Sequence, residues 1–100
     1  MTSKTKKNRV DKAVQSQARQ ARTISREIHA WAELPFRETN SSKRLADYLG
    51  ENGFQIEFSF KNIPTAFRAT WGKGKPAIGM LGEYDALPNC GAADGTWGHG

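Results

Sequence analysis

The sequence predicts an α/β fold in which two helices precede a sheet. Apolar residues recur at helical spacing over residues 10–31, and a second helical pattern covers about residues 40–51. Strict alternation of apolar and polar residues then follows over residues 54–60, which is typical of a half-buried strand. Two further strand patterns cover residues 66–71 and 76–81. This order of elements predicts a sheet that is covered by helices.

The first predicted helix carries a narrow apolar stripe opposite a basic and polar face. The members of the stripe are three or four residues apart, at Val10, Val14, Ala18, Ala21, Ile24, Ile28 and Trp31. Such a stripe is typical of packing against a core, and a membrane anchor is the alternative. Pro35 ends the helix at or before Leu34, because proline disfavours a helical conformation in the residue before it.

Local signals also bound the later elements. Thr39 or Asn40 is the expected N-cap of the second helix, and Asn52-Gly53 is its C-terminal stop. Residues 72–75 alternate glycine with lysine and predict a turn, because glycine adopts positive φ without steric cost. Residues 76–81 form a nearly continuous apolar run, which predicts a strand buried within a sheet.

Positive charge is concentrated near the N-terminus. The chain of 100 residues has a formal net charge of +5, and residues 1–30 hold eight basic residues against two acidic ones. We expect residues 1–12 to form a disordered basic tail and residues 13–100 to form the domain. A basic tail can bind nucleic acid or an anionic membrane, but a solvated tail is the simpler interpretation. We therefore expect neither a nucleic-acid partner nor a membrane partner.

The composition also favours a reducing compartment. Cys90 is the only cysteine, so no internal disulfide can form. No apolar run approaches the roughly 20 residues that a membrane-spanning helix needs. We expect a cytoplasmic protein, and a mitochondrial leader is the alternative because the N-terminus is rich in arginine and poor in acids.

Two acidic residues follow the third predicted strand. Glu83 and Asp85 are two residues apart, so an extended segment directs both side chains to the same side. Open sheets place ligands at the carboxyl ends of their strands. A carboxylate there can bind a metal or orient a metal-ligating imidazole. The alternative is a strand end exposed to water, where acidic side chains are common.

Histidine and cysteine supply a second, weaker signal. His99 lies between Gly98 and Gly100, which leave its ring accessible. The other histidine, His29, fits a helix-boundary residue better than a metal ligand. Cys90 has no neighbour in sequence that would activate it, which favours an incidental thiol. Metal sites need three or four ligands, so these residues alone predict no complete site.

Several ordered motifs resemble those of a known family. Residues 82–88 read Gly-Glu-Tyr-Asp-Ala-Leu-Pro, and residues 98–100 are the first half of a Gly-His-x-Cys-Gly-His-Asn motif. Residues 62–69 and 72–76 match closely, whereas residues 28–38 match loosely. From about residue 20 onward, the chain resembles the metallo-amidohydrolases that include aminoacylases, zinc carboxypeptidases and auxin-conjugate hydrolases. The most similar branch holds the aminobenzoyl-glutamate hydrolases and the β-alanyl-dipeptide hydrolases.

The resemblance implies a structure and a set of roles. It implies the truncated N-terminal part of a zinc-peptidase-like catalytic domain, with a mixed sheet flanked by helices, a divalent zinc or manganese ion, and a lid that dimerises. Asp85 matches an acid that orients a metal ligand or tunes the metal-bound water. Glu83 occupies a position where other branches carry a metal-binding histidine, and His99 is adjacent to the site. The expected ligands and the catalytic glutamate would lie beyond Gly100.

The implied activity is metal-dependent hydrolysis of an amide bond. The substrate would be an N-acyl amino acid, an aminobenzoyl-glutamate-like conjugate or a dipeptide, and the full-length enzyme would be a homodimer. The 100 residues alone are expected to be inactive. The alternative is a non-catalytic remnant or a binding module that uses its basic N-terminus.

Overall fold

The computed structural model describes residues 2–100, which contain two helices followed by two short strands. Helix α1 spans Ser3–Trp31, and helix α2 spans Thr39–Glu51. Strand β1 spans Gln55–Phe58, and strand β2 spans Phe67–Thr70. The prediction of an α/β chain in which the helices come first is therefore confirmed.

Helix α1 begins close to the N-terminus, so the prediction of a disordered tail over residues 1–12 is wrong for the part that the structure describes. The Thr2 hydroxyl accepts a hydrogen bond from the backbone N–H of Thr5 at 3.1 Å, which satisfies one free donor of the first turn. No glycine or proline interrupts the segment before Trp31, and its Ala, Lys, Arg and Gln residues favour helix. Local propensity therefore outweighs the low apolar content. The assignment of residues 13–100 to a catalytic domain stays a prediction.

The two helices pack through the C-terminal half of α1. Ile24 is buried there, and Arg44 of α2 forms an ion pair with Glu27 at 3.2 Å. Val10 and Val14, by contrast, are 60% and 62% exposed. The predicted packing of the apolar stripe is thus confirmed only in its C-terminal half. Neither described helix combines the length and the apolar character that crossing a membrane requires.

The strands form an antiparallel pair against which α2 lies. Gln55 pairs with Thr70, and Phe58 pairs with Phe67, whose rings stack with centroids 6.0 Å apart. Gly53 lies between α2 and β1 with a φ of 93°, which glycine adopts far more readily than other residues. The sharp reversal from helix to strand depends on this residue.

The predicted third strand over residues 76–81 does not form in the described structure. These residues take no part in the two-stranded sheet, and Ile78, Met80 and Leu81 are 84%, 96% and 96% exposed. A continuous apolar strand is stable only when neighbouring strands supply hydrogen bonds and other layers bury its side chains. Residues 2–100 provide neither strand partners nor covering layers for residues 76–81. The larger mixed sheet of the zinc-peptidase type therefore remains a prediction.

The small core lies where α2 meets the loops around it. Its fully or nearly buried residues are the apolar Ile24, Ala46 and Ala86 and the polar Glu38, Ser41, Ser42 and Thr65. Because most of them are polar, hydrogen bonds decide where the loops lie. One of these loops carries the sequence motif at residues 82–88.

Candidate functional site

Residues 82–85 lie in an open groove beside α2. The groove has a volume of about 240 Å³. Its other walls are the segment that leads into α2 and the segment that leads into β2, and the lining residues there are Pro35, Phe36, Glu38, Ile63, Thr65 and Ala66. Both predicted acids, Glu83 and Asp85, line this groove. The structure thus places these two acids together, as their spacing predicted.

Tyr84 anchors the motif to the groove wall. Its hydroxyl donates a hydrogen bond to the backbone carbonyl of Thr65 at 2.5 Å. The Thr65 hydroxyl in turn donates to the Glu38 carboxylate at 2.5 Å, and both of these residues are buried. The Tyr84 ring stacks on Phe67 of β2, with centroids 6.2 Å apart. These contacts connect residues 82–85 to both neighbouring elements.

The surroundings of the Tyr84 phenol favour its neutral form. Burial raises the pKa of Tyr84 above its ordinary value of 10.0, and the negative charge of Glu38 raises it further. The neutral form is also the one that can donate to Thr65. At neutral pH the phenol is therefore available as a hydrogen-bond donor.

Asp85 lies between two anchored neighbours. Tyr84 is bound to Thr65 on one side, and on the other side the backbone N–H of Ala86 donates to the Glu33 carbonyl at 2.7 Å. Ala86 is fully buried and Asp85 is half-buried, whereas Glu83 is exposed. The neighbouring residues thus hold the backbone of Asp85 at the edge of the groove. Among residues 2–100, Asp85 has no ionic partner.

Glu33 also organises the start of α2. Its carboxylate accepts hydrogen bonds from the backbone N–H groups of Asn40 at 2.9 Å and Ser41 at 2.7 Å. Burial opposes the charged form, but the polar groups of Ser41 and Asn40 around the carboxylate, including these two N–H groups, outweigh burial and lower the pKa of Glu33. The predicted N-caps, Thr39 and Asn40, therefore do not cap this helix through their side chains.

His99 lies in a second cluster, outside the residues that line the groove. Leu87 and Gly98 exchange two backbone hydrogen bonds, of 2.8 and 3.0 Å, which place His99 beside α1. The His99 ring lies 6.2 Å from the His29 ring, and His29 Nε2 is 3.3 Å from the Gly100 carbonyl oxygen. The Nε2 atom of His99 is buried and has no hydrogen-bond partner. The structure thus places His99 next to His29 and not among the residues that line the groove.

The described residues do not contain a complete metal site. Among residues 2–100, no three histidine, cysteine, aspartate or glutamate side chains converge closely enough to hold an ion. The orphaned Nε2 atom of His99 is one candidate ligand, but protein metal sites need three or four. The residues present therefore do not fit the implied zinc or manganese ion by themselves.

The sequence did not reveal several residues that build the groove. No local pattern assigns a role to Glu33, Glu38 or Thr65, because the hydrogen bonds from Thr65 to Glu38, from Tyr84 to Thr65 and from Ala86 to Glu33 join segments that are far apart along the chain. The available signal was that Glu33 and Glu38 lie within the loosely matching residues 28–38 and Thr65 within the closely matching residues 62–69.

Comparison with known proteins identifies a relative. No family model matches the chain, and no solved structure matches it. A p-aminobenzoyl-glutamate hydrolase subunit of Escherichia coli (strain K12) is 40% identical to the chain over 78 residues. The match covers 78% of this chain but only 16% of that protein. The resemblance to the aminobenzoyl-glutamate hydrolases that the motifs indicated is thereby confirmed: over 78 residues the chain is similar to a subunit of p-aminobenzoyl-glutamate hydrolase.

Proposed function

We propose that this chain is part of a hydrolase that cleaves an amide bond in an aminobenzoyl-glutamate-like conjugate, another N-acyl amino acid or a dipeptide. The observation that carries the proposal is the 40% identity to a p-aminobenzoyl-glutamate hydrolase subunit over 78 residues. The groove supports the proposal, because two acids of the matching motif, Glu83 and Asp85, line the same open concave surface. The chain spans about a sixth of the length of its relative, so hydrolysis by this protein is a proposal.

Asp85 is the residue that we propose for the active centre. Its anchored backbone and half-buried position suit a carboxylate that keeps a neighbouring group in one orientation. Glu83 and His99 are proposed to lie beside that centre. Glu83 is the more exposed acid of the groove, and His99 keeps one ring nitrogen unpaired.

We further propose that the enzyme uses a divalent ion, either zinc or manganese. Such an ion polarises the carbonyl that is attacked and makes water a better nucleophile. Residues 2–100 lack a complete ligand set, so most ligands would come from other parts of the protein. A small-molecule amide substrate, a homodimer and a cytoplasmic location complete the proposal.

The proposal is tested on the protein expressed from its own gene. Release of glutamate from p-aminobenzoyl-glutamate is measured before and after treatment with a chelator, and again after zinc or manganese is added back. We expect activity that the chelator removes and the ion restores. Asp85→Asn should lower activity about 10–100-fold, as is typical when a group that orients a metal ligand is lost.

The matched control is Asp94→Asn, because Asp94 is an exposed acid in a loop away from the groove. It should leave activity unchanged. Hydrolysis that resists the chelator, or full activity in Asp85→Asn, would contradict the proposal. For the 100 residues alone we expect little or no hydrolysis, and measurable turnover by that chain would contradict this expectation.

One observation favours a second function. Lys4, Lys6, Lys7 and Lys12 are exposed on α1 and have no ionic partner within residues 2–100. A non-catalytic binding module could use this basic surface on an acidic partner. Binding to nucleic acid that weakens steeply with added salt and disappears on deletion of residues 1–12 would support it. Absence of binding at low salt would rule it out.

A further inference from the structure

We infer that Tyr84 is a positioning residue, which fixes the backbone of Asp85 in the groove through a chain of hydrogen bonds from its hydroxyl to Thr65 and from Thr65 to Glu38. This inference concerns the geometry of the site and rests on the proposed function only for its catalytic consequence. It assigns a positioning role to Tyr84, Thr65 and Glu38, in addition to the two acids of the motif.

The first step of the argument is the contrast between two neighbouring segments. Residues 76–81 are exposed and belong to neither strand of the sheet. Tyr84, by contrast, donates a hydrogen bond from its hydroxyl to the Thr65 carbonyl and stacks its ring on Phe67. Tyr84 is therefore the first residue of the motif that is fixed by a side-chain contact with the rest of the molecule.

The second step concerns the acceptor. The Thr65 carbonyl can hold Tyr84 in one place only if Thr65 is itself held, and its hydroxyl donates to the buried Glu38 carboxylate at 2.5 Å. A hydrogen bond to an ionised acceptor is stronger than one between neutral groups. Glu38 immediately precedes α2 and its carbonyl accepts from the Ser42 N–H at 2.9 Å. The series of hydrogen bonds that begins at Tyr84 therefore ends at the start of α2.

The third step is the position of Asp85 between two fixed points. Tyr84 before it is bound to Thr65, and Ala86 after it is bound to the Glu33 carbonyl at 2.7 Å. With both neighbours fixed, the few backbone dihedrals in between leave Asp85 little freedom. Loss of the hydrogen bond from Tyr84 to Thr65 would free the backbone on one side of Asp85. The hydrogen bond from Ala86 to Glu33 on the other side would then break more often.

The test uses hydrogen exchange in the protein expressed from its own gene, read on the peptide that covers residues 84–89. Tyr84→Phe keeps the ring stacked on Phe67 and removes only the hydroxyl. We expect amide exchange in this peptide to become about five- to tenfold faster, which corresponds to one lost hydrogen bond. Tyr48→Phe is the matched control, because the Tyr48 hydroxyl bonds Gln17 on α1 rather than the groove.

An internal reference separates positioning from general destabilisation. Residues 41–49 of α2 include the buried Ser41, Ser42 and Ala46. Their exchange should not change in Tyr84→Phe. Unchanged exchange over residues 84–89, or an equal acceleration over residues 41–49, would overturn the inference. Neither readout needs substrate, so the inference can fail or survive independently of the proposed function.

Two variants of Thr65 test the hydrogen bond from Thr65 to Glu38, which supports the one from Tyr84 to Thr65. Thr65→Ser keeps the hydroxyl that donates to Glu38, whereas Thr65→Val removes it and leaves the carbonyl that accepts from Tyr84. We expect faster exchange over residues 84–89 in the valine variant and normal exchange in the serine variant. Equal behaviour of the two variants would exclude a role for the bond to Glu38.

The catalytic consequence is read separately. If the protein hydrolyses its amide substrate as proposed, Tyr84→Phe should lower kcat about tenfold and change KM little, because a misplaced Asp85 affects the reaction more than binding. A rise in KM at constant kcat would overturn the positioning role. A wild-type protein without hydrolase activity would refute the proposed function and leave the exchange result to decide the inference.

Discussion

A single residue, Glu33, supports both the start of α2 through its carboxylate and the candidate site through its backbone carbonyl. Its side-chain oxygens accept from Asn40 and Ser41 at the positive end of the helix, while its carbonyl accepts from Ala86. One residue thus connects the helix to the loop that carries Asp85. Loss of the carboxylate should weaken the helix start, whereas the backbone carbonyl that holds Ala86 remains.

Glu33→Gln should therefore destabilise the protein at neutral pH. We expect a loss of about 1 kcal/mol in the free energy of unfolding, which is typical for a lost cap with a favourable charge. The pKa of Glu33 is lowered from 4.5, so its stabilising effect is complete above that value and is lost as pH falls through the lower folded pKa. Urea unfolding at neutral and acid pH measures both the loss and its disappearance in acid.

The control for this prediction is Glu51→Gln. Glu51 is the last residue of α2 and is exposed, so its carboxylate faces the negative end of the helix. This variant should be as stable as the wild type or slightly more stable. Equal unfolding curves for Glu33→Gln and wild type at neutral pH would contradict the capping role.

Tyr84 gives the second prediction for a single residue. Its raised pKa means that the folded state favours the neutral phenol, so this contribution to stability is complete below about pH 10 and is lost as pH rises through the folded pKa. The difference in unfolding free energy between wild type and Tyr84→Phe should therefore shrink in alkali. The chain has two tyrosines, so the difference in phenolate absorbance between these proteins reports the titration of Tyr84. Titration at or below the ordinary value would contradict its burial beside Glu38.

The strap formed by residues 87–98 depends on two glycines that face each other. A Cβ on Gly98 would lie 2.5 Å from the Cα of Gly91 and 2.7 Å from the Cys90 carbonyl oxygen. Both atoms belong to the backbone, so they cannot move aside as the end of a side chain could. This close approach explains the glycine that precedes His99.

Gly98→Ala should consequently disrupt this strap. We expect a cost of about 1–3 kcal/mol, as in other overpacked sites, together with loss of the hydrogen bonds to Leu87. Thermal unfolding and amide exchange over residues 87–98 measure the effect. The control is Gly82→Ala, because a Cβ there meets no atom within 4 Å and the φ of Gly82 is not positive. Equal stability of the two variants would show that the strap adapts without cost.

The elements differ in how far the sequence could predict them. Helices α1 and α2 follow from patterns within single segments, and so do strands β1 and β2, whereas the pairing of the two strands does not. The apolar run at residues 76–81 reads as a strand, but a strand also needs partners that no local pattern reveals. The same limit applies to the site. Glu83 and Asp85 are visible beside a motif, whereas Glu38 and Thr65 acquire a role only through contact with Tyr84.

At the scale of the whole molecule, buried apolar surface is scarce and exposed apolar surface is abundant. Ile24, Ala46 and Ala86 are the buried hydrophobic residues among those described. Trp71, Ile78, Met80 and Leu81 are between 71% and 96% exposed, within eleven residues of one another. Exposed apolar residues that are this close together in the sequence favour contact with further protein or self-association.

The 100-residue chain should therefore self-associate through residues 71–81. Light scattering at increasing protein concentration should show growth in mass, since unpaired apolar segments combine readily. Ile78→Lys with Leu81→Lys should suppress it, because two charges interrupt the apolar surface and repel a second copy. Val10→Lys with Val14→Lys is the matched control, since it adds the same charge to exposed apolar positions on α1. If both pairs suppress association equally, net charge rather than residues 71–81 governs it, and a wild-type chain that stays monomeric would contradict the prediction outright.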